Sequence, residues 1–336
     1  MLSTVKAEKF IPHWQRSLQE AITDPLELLT LLELPLELLE GARISARSFK
    51  LRVPRGFVAN MEKKNPRDPL LLQVLPLLTE MEEVPRFIPD PLQEAVPHAT
   101  PGLLHKYEGR ILLTATGACA IHCRYCFRRH FPYEANNPSK KYWEEALAYI
   151  AEDPSIKEVI LSGGDPLLMN DTQLADFIEP LEKIPHVTTL RFHTRVPIVL
   201  PERITPEWIH LLKNTRLQIV IVTHCNHPRE CDEAVKAAMD LLRDANFTLL
   251  NQSVLLKDVN DTVETLRALS ERLFEVGILP YYLHLLDPVK GSHHFEVSDE
   301  TAIALMNDLV KTLPGYLVPK LVRETPGELS KTWIAF

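Results

Sequence analysis

From about residue 111 onward, short apolar and β-branched runs recur along the chain: Ile111–Ala115, Glu158–Leu161, Thr188–His193, Leu217–Thr223, Thr248–Leu255 and Leu279–Leu285. Each is too short for a stable helix and reads as a strand. Amphipathic stretches long enough for helices lie between or beyond them, at about 139–152, 171–183, 205–213, 229–244, 261–276 and 298–312. This alternation predicts an α/β fold, a parallel sheet covered by helices. An open sheet and a barrel share the pattern, and the polar residues decide between them. Gly163, Gly164 and Asp165 follow the second run, His193 and Arg195 close the third, His224 follows the fourth, Asn251 and Gln252 lie in the fifth, and Asp287 follows the sixth. A barrel builds its site from the C-terminal ends of many strands, whereas an open sheet gathers it at one switch point. The expected architecture is a partial (β/α)6 TIM-like barrel.

The first hundred residues have a different texture. TDPLELLTLLELPLELLEGA predicts a helix with Thr23 as N-cap and Asp24 and Pro25 in its first turn. Pro-punctuated stretches such as NPRDPLLLQVLP and VPRFIPDPLQEAVPHATPG follow and read as a wrapping arm without a core of its own. The expected division is a helical and irregular arm over 1–100, a barrel over 101–315, and a C-terminal segment over 316–336.

Composition narrows the function classes. Forty-five acidic against 37 basic residues give a net charge of −8, which argues against an extended nucleic-acid-binding surface. The first 20 residues lack the apolar core of a signal peptide, and no apolar run is long enough to span a bilayer, so a cytoplasmic protein without membrane contact is expected. In that compartment disulfides are rare, and the five cysteines are either core residues or ligands.

Three of the five, Cys119, Cys123 and Cys126, fall within GACAIHCRYCFRRH with the spacing Cys-x3-Cys-x2-Cys, directly after the first barrel strand. Three thiolates are one fewer than a fully protein-ligated [4Fe–4S] cluster or a four-cysteine zinc site needs. They would leave one iron open to a small molecule; the alternative is a zinc site completed by His122 or His130. The triplet, with Tyr125 just before its last cysteine, resembles the radical S-adenosylmethionine (SAM) superfamily, and LSGGDPL over Leu161–Leu167 matches a second signature of that superfamily. The resemblance implies a [4Fe–4S] cluster on Cys119, Cys123 and Cys126, with SAM on the open iron and in contact with Gly163, Gly164, Asp165, His224 and Gln252.

Further stretches resemble lysine 2,3-aminomutases, which also use pyridoxal 5′-phosphate (PLP): PGLLHKYEGRILL, CRYCFRRHF, HTRVPIVLPERIT, NQSVLLKDVND, PYYLHLLD and VPKLVRETPGELSK, in the family's order. By that resemblance Lys331 is the catalytic lysine that holds PLP, with Lys106, Tyr107 and Arg110 around the cofactor phosphate. Arg128 grips the substrate carboxylate, a planar two-point contact that suits guanidinium. Asp287 and Glu324 receive the ε-ammonium of lysine, and two converging anions favour a cationic tail. Two departures stand out. Lys331 follows PGELS where the family commonly has a run of glycines, which stiffens the loop. Glu324 replaces an aspartate and is one methylene longer.

The implied activity is an isomerase reaction, the 2,3-amino migration that converts L-lysine to (R)-β-lysine with a flavodoxin- or ferredoxin-type reductant. The DPLELLTLLEL arm, FRRHFPY and a chain ending five residues past Lys331 resemble the bacterial enzyme that supplies β-lysine for modification of translation elongation factor P by a lysyl-tRNA-synthetase-like ligase. The alternatives are a catabolic mutase of free lysine, a radical SAM enzyme without PLP, and a non-catalytic metal protein.

Overall fold

The computed structural model describes residues 11–94, 102–132 and 140–336. The first ten residues, Pro101, where the resemblance begins, and Tyr133 of FRRHFPY lie outside the described residues. One nine-stranded sheet runs in sequence order: β1 (Leu103–Tyr107), β2 (Arg110–Thr116), β3 (Glu158–Gly163), β4 (Thr189–Thr194), β5 (Gln218–Thr223), β6 (Thr248–Val254), β7 (Leu279–His284), β8 (Lys320–Arg323) and β9 (Thr332–Trp333). The six expected strands are β2 to β7, all parallel. The expected helices lie at Lys140–Glu152, Asp171–Leu181, Pro206–Lys213, Glu233–Asp244, Val263–Glu275 and Asp299–Leu309.

Three strands extend that set. The short β8 adds in parallel to β7, and β1 and β9 pair antiparallel at the two edges. Two of the connections involved are hairpins, and both carry site residues. Gly109, at φ +74°, turns β1 into β2 and sets Tyr107 opposite Arg110. The β8–β9 pairing sets Arg323 opposite Thr332, so residues 324–331 form the loop of the second hairpin.

The arm supplies apolar surface to the barrel. Trp14, Ile22, Leu28, Leu29, Phe57 and Leu70 join Val159, Leu190, Phe192 and Ile221 in one continuous buried cluster. The first helix after the bridge between Ile22 and Val53 spans Pro25–Leu31, and its N-cap is Asp24 rather than the expected Thr23. The Asp24 carboxylate accepts from the Leu26 amide, and Pro25 takes the first helical position, where a missing N–H costs nothing.

Candidate active site

The parallel strands deliver their polar residues to one rim. The cysteine loop follows β2, Gly164 and Asp165 follow β3, Arg195 follows β4, His224 follows β5, Gln252 lies near the end of β6, Asp287 lies beyond β7 and Glu324 directly follows β8. Most of these side chains are half-buried, as the lining of a cavity must be.

Close approach of two backbones fixes the cysteine loop. The Gly164 amide donates to Thr116 O at 2.6 Å and the Asp165 amide to Ala118 O at 2.7 Å. A Cβ on Gly164 would stand 2.3 Å from Ala118 O, and one on Gly163, at φ +110°, would stand 2.7 Å from Thr114 Cγ2. The glycine pair is thus required by the fit of β3 against the cysteine loop, before any ligand is considered. The Asp165 carboxylate accepts from Thr194 Oγ1 (2.6 Å), the amides of Arg195 (2.7 Å) and Val196 (3.1 Å), and the Leu167 amide (3.1 Å). That carboxylate has no capacity left for a ligand, and its task here is to tie β3 to β4.

All five cysteines are free thiols. Burial pushes Cys126 up to about 11, with Cys123 adding to it, and raises Cys119 as well, with Cys126, Asp165 and Cys123 contributing. Neighbouring thiols whose burial disfavours ionisation, as at Cys119 and Cys126, need a cationic group to become thiolates. Among the described residues no three His, Cys, Asp or Glu side chains converge on one metal-ion point. A mononuclear zinc needs four donors on one point, whereas a cubane takes each thiolate at a separate iron. His122 Nδ1 is occupied by Lys50 O at 2.8 Å and His130 Nε2 by Lys290 O at 3.1 Å. The residues present fit an iron–sulfur cluster. Cys225 and Cys231 are buried away from the triplet, 3.6 Å apart.

Beyond β8, Lys331 Nζ donates to Glu324 Oε2 at 2.5 Å, and the Tyr107 hydroxyl donates to the other oxygen of Glu324. Tyr107 lies on the first strand and Glu324 at the end of the eighth, so this contact bridges the gap of the incomplete barrel. Lys331 also faces the Tyr282 ring at 5.7 Å, and Arg110 lies over the Tyr107 ring at 4.8 Å. Burial raises Glu324, but Lys331 and Tyr107 outweigh it and hold the carboxyl below its ordinary value. Asp287 is pushed up to about 7 by burial and then by the Glu324 charge. Buried Nε2 atoms of His193 and His284 have no partner, and both histidines feel the Lys331 charge. A lysine beside aromatic rings, an arginine and orphaned imidazole nitrogens fits PLP.

His224 directly follows β5. Gln252 Nε2 donates to its Nε2 at 2.8 Å, and its pKa falls to about 3, from burial first and then from Arg195, Arg128 and Lys331. It is a neutral acceptor within electrostatic reach of both ends of the site.

Several residues of the site have no signature in the sequence. Arg128 already holds a carboxylate: its Nε donates to Glu94 Oε2 at 2.7 Å and its Nη2 to Glu94 Oε1 at 3.1 Å, while Nη1 donates to Ser162 Oγ at 3.1 Å. Lys106 Nζ lies 3.5 Å from the same Glu94. Arg129 is structural; with Arg124 it pairs with the buried Glu80, at 2.7 and 2.5 Å, and locks the cysteine loop to the arm. Arg195 donates to Cys123 Sγ at 2.8 Å. Glu80 and Glu94 lie in the Pro-punctuated arm, where one acidic residue looks like any other.

A radical SAM superfamily model matches residues 113–269. An L-lysine 2,3-aminomutase of Haemophilus influenzae is 52% identical over 96% of this chain and 96% of its own length. The enzyme of the same name from Escherichia coli is 51% identical over 95% of this chain and 93% of its own. That of Clostridium subterminale is 35% identical over 95% of this chain and 77% of its own. With cysteine loop, glycine turn and lysine hairpin all on the rim of a partial barrel, the chain belongs to the lysine 2,3-aminomutase family of radical SAM isomerases.

Proposed function

We propose that the chain moves the amino group of L-lysine from C2 to C3, giving (R)-β-lysine. The carrying observation is that the cysteine loop after β2, the Gly163–Gly164 turn after β3 and the Lys331–Glu324 pair after β8 stand at the same end of one parallel sheet. When bound, the cluster and SAM supply a carbon-centred oxidising radical, and PLP supplies a π-system that delocalises the substrate radical. Cys119, Cys123 and Cys126 hold the cluster; Gly163, Gly164, His224 and Gln252 line the SAM side; Lys106, Tyr107, Arg110 and Lys331 hold PLP.

The remaining residues orient the substrate. Arg128 takes the α-carboxylate and Asp287 with Glu324 takes the ε-ammonium, so that lysine is stretched between two charged anchors. Fixing both ends leaves the C2–C3 bond at one place in the cavity, which favours abstraction of a single hydrogen. An acidic side chain in place of the ammonium would meet two carboxylates and be repelled. Reducing equivalents come from a flavodoxin- or ferredoxin-type protein.

The product serves the modification of translation elongation factor P, attached by a lysyl-tRNA-synthetase-like ligase in the cytoplasm. Support comes from the DPLELLTLLEL and FRRHFPY segments, which resemble the bacterial enzyme of that modification. Among the described residues no helix is long and apolar enough to cross a membrane. The test is anaerobic reconstitution with iron, sulfide, PLP, SAM and dithionite, then chiral analysis of products from L-lysine. Absence of β-lysine from fully loaded protein overturns the reaction. Failure to restore elongation factor P modification in a strain lacking its own mutase overturns the physiological role and leaves catabolism of free lysine.

A further inference from the structure

Arg195 occupies an unusual place for a charged residue. It is 6% exposed, and its partners reach it from four separate segments of the chain. One terminal nitrogen, Nη1, donates to Cys123 Sγ at 2.8 Å and to the Tyr125 hydroxyl at 2.7 Å. The other, Nη2, donates to Gln73 Oε1 at 2.7 Å and Glu230 Oε2 at 2.9 Å. Its backbone amide is pinned by Asp165. Gln73 comes from the arm, Glu230 from the turn after β5, and Asn226 ties Gln73 and Tyr125 together at 3.0 and 2.7 Å. Phe57 covers the guanidinium at 5.5 Å.

We infer that Arg195 is a positioning residue for the iron–sulfur cluster, giving an N–H···S hydrogen bond to the Cys123 ligand that makes the cluster easier to reduce. This rests on the assignment of Cys123 as a cluster ligand.

The direction follows from charge. Reduction adds an electron to a cluster whose thiolate sulfurs already carry negative charge, and a donor aimed at one sulfur stabilises the reduced form more than the oxidised form. Hydrogen bonds to sulfur and burial are among the levers that set such potentials. Two features make this donor effective. The guanidinium is clamped on its other nitrogen, so it cannot swing away when the charge on sulfur changes. Glu230, itself fully buried, balances its full positive charge. The directional N–H contact therefore carries more of the effect than a long-range field. The ion pair also explains how the arm and the cysteine loop are held in one frame: Gln73 accepts from Arg195, and its carbonyl receives the Arg124 amide at 2.9 Å.

The test compares the anaerobically reconstituted protein with Arg195→Lys, and with the double variant Arg195→Met, Glu230→Gln, which avoids stranding a buried carboxylate. Iron and sulfide are counted first, and the midpoint is read by redox titration followed by electron paramagnetic resonance. Loaded variants are expected to show a three- to tenfold smaller equilibrium constant for one-electron reduction, a tenfold change being about 59 mV. An unchanged midpoint in a loaded variant overturns the inference, whatever happens to thermal stability. A second arm needs no variant: in wild type carrying arginine labelled with 15N only in its guanidinium, pulsed resonance of the reduced cluster is expected to show a 15N coupling, and its absence overturns the inference even if the variants fail to load. Wild type that binds no cluster would instead overturn the ligand assignment, and this inference with it.

Discussion

Lys331 and Glu324 are the two ends of one hairpin loop, and their side chains meet at 2.5 Å across it. The β8–β9 register, Arg323 opposite Thr332, leaves them little choice but to face each other. On the proposed function Glu324 is both an anchor for the substrate ammonium and the resting partner of the lysine that would hold PLP. The extra methylene relative to aspartate lets one carboxylate span Lys331 and Tyr107 together. Glu324→Asp is expected to raise KM for lysine and weaken PLP retention, each by about three- to tenfold, or about 0.7–1.4 kcal/mol. Lys331→Ala is expected to abolish turnover and the absorbance of bound PLP while the cluster still loads. Spectra of the reconstituted variants check both.

The pairing of Arg128 with Glu94 sets a second expectation. On the proposed function the substrate carboxylate and Glu94 seek the same guanidinium, and two anions do not share it comfortably. Burial raises Glu94, yet Arg128 and then Lys106 outweigh it and keep it ionised. Glu94→Gln keeps the shape and removes the competing charge. The expected result is a severalfold lower KM for lysine together with a lower melting temperature for the ligand-free protein, because Arg128 loses its buried counter-ion. An unchanged KM in steady-state kinetics would show that Glu94 only orients Arg128.

Gly164→Ala tests the frame and leaves every ligand in place. The added methyl would collide with backbone, Ala118 O at 2.3 Å, and backbone cannot yield as a flexible side chain does. Overpacking of this kind costs about 1–3 kcal/mol or more. The strain falls on the cysteine loop, so iron content after reconstitution is expected to drop more steeply than far-ultraviolet dichroism.

The barrel is largely legible in the sequence because β2 to β6 are short, partly buried runs that carry β-branched residues, β7 is a short run rich in aromatic and aliphatic residues, and turn residues separate them. The edge strands are not. LLHKY, KLVR and TW are short or polar, and they become strands only through pairing with neighbours already in place. The cysteine loop, glycine turn and Lys331 announce themselves through spacing and motif. The network that holds them does not, since Gln73, Glu80, Glu94 and Glu230 are ordinary polar residues up to 157 positions from their partners. Such contacts are fixed by the tertiary fold, and no local pattern encodes them.

Asp287 links substrate binding to acidity. Its carboxyl is pushed up to about 7 by burial and by the neighbouring Glu324. Below that pH Asp287 is protonated and one of the two anchors for the ammonium is neutral. KM for lysine is therefore expected to fall as pH rises through about 7, and Asp287→Asn to abolish that limb of the profile while raising KM above it. Stability runs the other way. A carboxyl raised on folding favours the folded state in its protonated form, so keeping it ionised becomes more costly from about pH 4, its ordinary range, up to about pH 7 and stays constant beyond. Asp287→Asn removes that cost. The ligand-free variant is expected to melt higher than wild type above neutrality, with the gain fading as pH falls toward about 4. Thermal melts across that window, beside steady-state kinetics, check both signs. A stability gain at a position that weakens substrate binding is what an anchor built for the ligand's charge entails, since the cost of burying Asp287 is offset only when the ammonium is present.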